Sequence, residues 1–167
     1  AQASLLCAGV SQTTALALLN RWGGRPLPLN ASCWLFDTAA QPAQDSLFVR
    51  LRGAQAAVEA ACPQLAADVQ AAGGSASRMD EAQAGPYWAA CREQTLPFFI
   101  PPAPELCLWR LSVPQTAPML DLPYPTLMEW HGALRWLWAP AGAAPRLRAA
   151  ATAAGGLVGG AAGGADY

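Results

Sequence analysis

A chain of 167 residues suffices for one domain, or two small units sharing a core, and can bury roughly 70% of its unfolded surface without disulfides or metals. With 53% hydrophobic residues, 13% charged residues and a formal net charge of -1, it lacks the basic face that nucleic acid requires. All ten basic residues are arginine, which reads as a coding bias.

The five cysteines, Cys7, Cys33, Cys62, Cys91 and Cys107, are odd in number and include no C-x-x-C pair, so they read as reduced core cysteines of a cytosolic protein. One histidine cannot build a zinc site of the usual kind, and no phosphate-cradling glycine loop stands between a strand and a helix. The N-terminus shows no basic region, apolar run and cleavage site of a signal peptide. The uncharged tract 149–165 is alanine and glycine, too weakly hydrophobic for a membrane span, and reads as a helix end running into a tail.

Taken in order, the apolar run 4–10 predicts a strand. Ser11 offers an N-cap to a helix carrying Leu16, Leu19 and Trp22 at helical spacing, and Gly23-Gly24 stops it. Residues 29–36 and 47–52 alternate as a hairpin with one solvated face across the turn-rich 37–45. Val58, Ala61, Leu65 and Val69 predict a helix over 54–72 that Pro63 kinks or splits, followed by an edge strand at 75–79. The resulting β-α-β-β-α-β order is the ferredoxin-like unit, an antiparallel α+β sheet with helices on one face.

Pro86 predicts the first residue of a further helix ending near Gln94. The proline-rich 101–104 divides the chain, giving a first unit over 1–94, a second over 95–154 and a Gly/Ala-rich tail over 155–167. Strands at 106–113, 126–130 and 133–138 and a helix from Pro145 repeat the grammar loosely, with His131-Gly132 as the hairpin turn. A degenerate second ferredoxin-like unit, and so a duplicated fold, is the economical reading.

The stretch 95–138 concentrates the aromatic residues around two arginines. Arg110 and Arg135 sit mid-strand among tryptophans, where a guanidinium can stack on a ring or clamp a carboxylate. Such a charge-assisted contact contributes about 1.5 to 3 kcal/mol. The plainer alternative is a partly exposed strand arginine on the solvated side. Trp109, Trp130 and Trp136 read as pocket walls or simply as core and interface bulk. His131 reads as a turn residue, and no residue reads as a catalytic base or nucleophile.

Several strings together resemble the C-terminal region of the FAD-binding subunit of bacterial glycolate oxidase: Gln94-Thr95-Leu96-Pro97-Phe98-Phe99, Leu108-Trp109-Arg110-Leu111-Ser112-Val113-Pro114, Asp121-Leu122-Pro123, and Glu129-Trp130 through Gly132-Ala133-Leu134-Arg135-Trp136-Leu137. Weaker similarity runs upstream through Trp34-Leu35-Phe36-Asp37 and Val49-Arg50-Leu51 to about Ser4. The resemblance departs at Tyr124 and His131, where the family usually has glycine, and in the tail, which does not follow the family's histidine-bearing continuation.

The resemblance implies a member of the FAD-linked oxidase superfamily, whose C-terminal domain is ferredoxin-like, duplicated and caps the flavin. It implies an FAD-dependent 2-hydroxy acid oxidoreductase taking glycolate to glyoxylate, with FAD held mainly by an N-terminal domain that these residues do not resemble. On that view the chain is the cap alone and inactive by itself. Arg110 and Arg135 would meet the substrate carboxylate or the flavin side, with Trp109, Trp130 and Trp136 as walls. The expected partners are other glycolate oxidase subunits and a small 2-hydroxy acid, in the cytoplasm or peripheral at the inner membrane through those subunits. An interaction module docking another subunit through its tryptophan-rich face, and a free-standing small-molecule-binding domain, are the alternatives from other classes.

Overall fold

Residues 1–161 are described in a computed structural model, and the first half follows the predicted order. Strand β1 (Gln2–Ala8) leads to helix α1 (Gln12–Gly23), where the Ser11 hydroxyl caps the Thr14 amide at 3.2 Å. Strands β2 (Leu29–Asp37) and β3 (Gln44–Arg52), helix α2 (Gln55–Ala71) and edge strand β4 (Ser75–Arg78) complete the unit, with sheet order β4-β1-β3-β2. Helix α2 runs through Pro63 unsplit. Pro63 is exposed, and the carbonyl it leaves without a donor belongs to exposed Glu59 and can be hydrated.

The second half repeats the pattern with one part missing. Strands β5 (Leu106–Ser112), β6 (Thr126–Glu129) and β7 (Leu134–Pro140) precede helix α4 (Ala144–Ala153) and strand β8 (Leu157–Ala161), and the sheet order is β6-β7-β5-β8. Read from the far edge, this is the first unit's order again. Where α1 stood, the second copy carries the irregular stretch 113–125. Strand β8 lies within the residues expected as a tail; the rest of that tail, 162–167, lies outside the described residues.

Strands β2 and β6 join the halves edge to edge through two antiparallel pairs, Cys33 with Glu129 and Trp34 with Met128. The result is one eight-stranded antiparallel α+β sheet. Strand alternation then sorts the side chains onto two faces. On one face, helices α1, α2 and α4 cover Leu5, Val49, Trp34, Met128, Leu137 and their neighbours.

On the other face lies helix α3 (Glu81–Glu93), which begins five residues before the Pro86 expected to open it. With the 3-10 turn Pro97–Phe99 it covers Cys33, Phe48, Leu127 and Trp136. The β2–β3 hairpin, expected to keep one face in water, is therefore covered on both at its centre. The reason is tertiary: the helix connecting the two units folds back across the sheet.

Candidate functional site

The structure sends the two predicted arginines to opposite faces. Arg110 lies opposite Trp136 across the β5–β7 ladder, and Arg135 lies opposite Leu111 one step along. Arg110 is exposed on the face away from α4, flanked by exposed Ser112 and by Leu157 on β8. Arg135 is 1% exposed on the helical face. Its Nε donates to the Gly132 carbonyl at 3.0 Å and its Nη2 to that of Ala117 at 2.6 Å, while Nη1 donates to the Pro118 carbonyl. These carbonyls belong to irregular chain that no helix or ladder would otherwise satisfy. Burial lowers the Arg135 pKa to about 10, so it remains charged at neutral pH.

The tryptophans separate as well. Trp109 is buried on the helical face with its indole N–H on the Ala139 carbonyl at 3.1 Å. Trp136 is buried on the other face and donates to the Glu129 carboxylate at 2.9 Å, and Trp138 donates to the Phe98 carbonyl at 2.8 Å. Only Trp130, 71% exposed, stands in solvent. Trp130, Trp136 and Trp138 thus form no continuous exposed surface, and among the described residues no cleft converges on Arg110 and Arg135 together.

A cleft of about 380 Å3 whose lining includes several polar and charged side chains does form, at the junction of the two halves. Its walls come from the start of β2, from β3, from α3 and from the β6–β7 turn. Beyond Trp34 and Cys33, β6 no longer pairs with β2, because Trp130, His131 and Gly132 all take positive φ, at 52, 56 and 92°. At Gly132 a side chain is excluded, since its Cβ would stand 2.6 Å from Leu16. His131 occupies a left-handed position, where glycine would be the less strained residue.

Ser32 takes over the vacated pairing. Its hydroxyl accepts the His131 amide at 2.9 Å and lies 2.9 Å from His131 Nδ1. Ser32 is buried, so its own proton needs an acceptor, and Nδ1 is the one within reach. That places the imidazole proton on Nε2. Among the described residues the buried side-chain polar atom without a partner is the Tyr87 hydroxyl, so Nε2, which no protein group meets, reaches the solvent of the cleft. Burial holds the His131 pKa below the usual histidine value, keeping the ring neutral at pH 7.

Across the cleft, Arg50 is fixed without a carboxylate. Its Nε donates to Asn30 Oδ1 at 2.8 Å, and its guanidinium carbon lies 5.2 Å from the Trp88 ring centroid. Trp88 is anchored in turn by its indole N–H on the Ser4 hydroxyl at 2.9 Å. Among the described residues the two terminal nitrogens of Arg50 meet no acceptor. Exposed Arg92 adds a second cation to the lining, and Glu129 a carboxyl whose pKa burial raises. Sequence reasoning passed over Arg50 as one of the outward positions of β3. The signal that existed was Arg50 alternating onto the same face as Phe48.

A second hollow, about 600 Å3 and mostly apolar, lies at the other end of the junction between Phe36, Phe98, Ile100 and Trp138. Among the described residues no group of three or more His, Cys, Asp or Glu side chains could hold a metal, and no helix is long and apolar enough to cross a membrane. Cys7, Cys33 and Cys91 are buried as expected, whereas Cys107 is exposed; all five cysteines are free.

No family model matches the chain. The glycolate oxidase subunit GlcE of Escherichia coli (strain K12) is 40% identical to it over 128 residues, 77% of this chain. The chain spans 30% of that relative's length.

Proposed function

We propose that this chain, which is related to the glycolate oxidase subunit GlcE, is the substrate-side cap of the FAD-binding subunit of a 2-hydroxy acid oxidase that converts glycolate to glyoxylate. The observation that carries this reading is the 40% identity over 128 residues, on a fold of the duplicated kind expected of such a cap.

The cleft at the junction, at about 380 Å3, has room for a small acid and not for a dinucleotide. The chain's fit to FAD is therefore that of a cover. When bound, the flavin supplies the acceptor for the hydride leaving the hydroxy acid. The face bearing exposed Arg110, Ser112 and Trp130 is free of helices at its β5–β8 end and suits the flavin side. Arg110 would hold negative charge on that side. Arg135 serves the same surface indirectly, by tying residues 117–118 and the turn at Gly132 to the sheet. Trp109 and Trp136 stiffen the strands from within, and Trp130 is the wall in solvent.

The test uses the full-length protein. Arg110→Ala should fold and retain flavin yet slow glycolate-dependent flavin bleaching at least tenfold, the effect of losing about 1.4 kcal/mol. Bleaching at the wild-type rate would remove Arg110 from the flavin side, and full-length protein whose flavin no 2-hydroxy acid reduces would overturn the oxidase reading.

A second reading has one observation in its favour. The apolar hollow carries Phe36 at 53% and Ile100 at 67% exposure, which suits docking of another subunit of a multi-subunit oxidase. On that reading the cap contributes no contact to the substrate, so Arg110→Ala would leave reduction intact and Ile100→Asp would weaken subunit co-purification.

A further inference from the structure

We propose that the junction cleft binds a small carboxylate bearing an oxygen on its α carbon, with Arg50 holding the carboxylate and His131 Nε2 donating to the α oxygen. The inference rests on the oxidase reading for its choice of 2-hydroxy acids, but the cleft's chemistry stands on its own residues.

Arg50 is arranged as a guanidinium waiting for an anion. One nitrogen is tied to Asn30 at 2.8 Å, the guanidinium carbon lies 5.2 Å from the Trp88 ring centroid, and Trp88 is pinned by Ser4. Arg78, for comparison, meets the carboxylate of Glu59 at 3.0 Å on both nitrogens. Among the described residues Arg50 meets no carboxylate, and its paired terminal N–H groups keep the fork geometry that matches one. Because stacking and the Asn30 contact already fix its rotamer, binding loses little side-chain entropy.

Charge and size agree with a monoanion. The lining holds Arg50, and Arg92 that is itself paired with Glu93 at 3.5 Å, against the single carboxyl of Glu129, whose ionisation burial opposes. Glu129 is also occupied by the Trp136 indole, at 2.9 Å. Across from Arg50, the Ser32 hydroxyl at 2.9 Å sets the His131 tautomer, so the imidazole presents a donor to the cleft. With the carboxylate held by Arg50, this second donor is met by a hydroxyl or keto oxygen on the α carbon, and a monocarboxylate without one leaves it unmet. Exposed Trp130 belongs to the same turn and lines the cleft.

The experiment measures binding to the full-length protein by titration calorimetry, with glycolate and acetate as probes, and needs no turnover. Wild type should bind glycolate more tightly than acetate. Arg50→Ala should weaken both about ten- to a hundredfold, the range a lost charge-assisted pair represents. His131→Gly, which suits the left-handed backbone, should weaken glycolate about two- to tenfold and leave acetate unchanged. Arg50→Lys, which keeps the charge and loses the fork, should fall between wild type and Arg50→Ala.

Glycolate binding that is absent in wild type, or unchanged in a folded Arg50→Ala protein with wild-type circular dichroism and Tm, would overturn the proposal. The two readings fail separately. Arg50-dependent binding without any flavin reduction sinks the oxidase and keeps the cleft. Flavin reduction that half-saturates at the same glycolate concentration in Arg50→Ala as in wild type sinks the cleft and keeps the oxidase.

Discussion

Arg135 and His131 show how one side chain is given its work by what surrounds it. Arg135 reads in sequence as a strand arginine among tryptophans, yet three of its nitrogens satisfy carbonyls of Gly132, Ala117 and Pro118. Replacing it by Leu should destabilise the fold by about 3 kcal/mol, since a buried charge-assisted network is lost and three acceptors are left dry. Urea unfolding that shifts by less than about 1 kcal/mol would place the clamp elsewhere. His131 makes a pH prediction. Burial holds its folded pKa below the usual histidine value of about 6.5, so as pH falls the unfolded chain binds the proton first. Stability is therefore full above pH 6.5 and declines below it, until the folded ring titrates as well. Glu129 beside it titrates with the opposite sign, its folded pKa being raised, so the clean measurement is the difference between wild type and His131→Asn. That difference in urea midpoint should shrink as pH falls from 7 to about 5; a constant difference would mean His131 is not held neutral.

Among the elements, β8 and α3 are the two whose surroundings decided them. Strand β8 follows a Gly155-Gly156 pair whose residues do separate jobs. Gly155 turns the chain at the end of α4 with φ +83°, and Gly156 passes so near β5 that a Cβ there would stand 2.0 Å from the Ser112 carbonyl oxygen. Gly156→Ala should therefore push β8 off its edge of the sheet and cost about 1 to 3 kcal/mol. Hydrogen exchange should quicken in 157–161 while β1–β4 keep their protection. The pair and the Leu157-Val158 that follows were the available signal, but glycine on both sides hid the strand. Helix α3 contains Pro86 in its second turn, and a proline signals a helix start only when nothing else supports the preceding turn. Here α3 lies across the sheet, with Ala84, Tyr87, Trp88 and Cys91 in or against the core, and that packing favours a helix beginning at Glu81.

For the whole molecule, the junction between β2 and β6 is both the thinnest seam and the place where a site arises. Two ladder pairs bridge the halves there, extended by Ser32 and His131. Ser32→Ala removes both bonds from His131 and should cost about 1 to 2 kcal/mol. Amide exchange should rise first at residues 130–133, and unaltered exchange there would show that the ladder alone holds the seam. The cleft exists because β6 turns away early, leaving the first strands of β2 facing a turn. Duplication alone does not produce it; the left-handed residues at 130–132 do.

The sequence by itself determined the parts whose cause is local. Alternation in β2, β3, β5 and β7, the Ser11 cap, the apolar spacing of α1 and α2 and the turn at Gly132 follow from short-range sterics and from the periods of strand and helix, and they were enough for a duplicated ferredoxin-like α+β sheet. The resemblance carried by residues 94–137 came the same way, from the order of side chains. Tertiary structure alone decided which residues meet. Arg110 and Arg135 are parted because cross-strand register, not sequence distance, assigns a face, and a shift of one residue exchanges the faces. Arg50, Asn30, Trp88, Ser32 and His131 come together from β2, β3, α3 and the β6–β7 turn, spanning a hundred residues of chain. No local pattern encodes that convergence, because it depends on where α3 folds back and where β6 stops pairing.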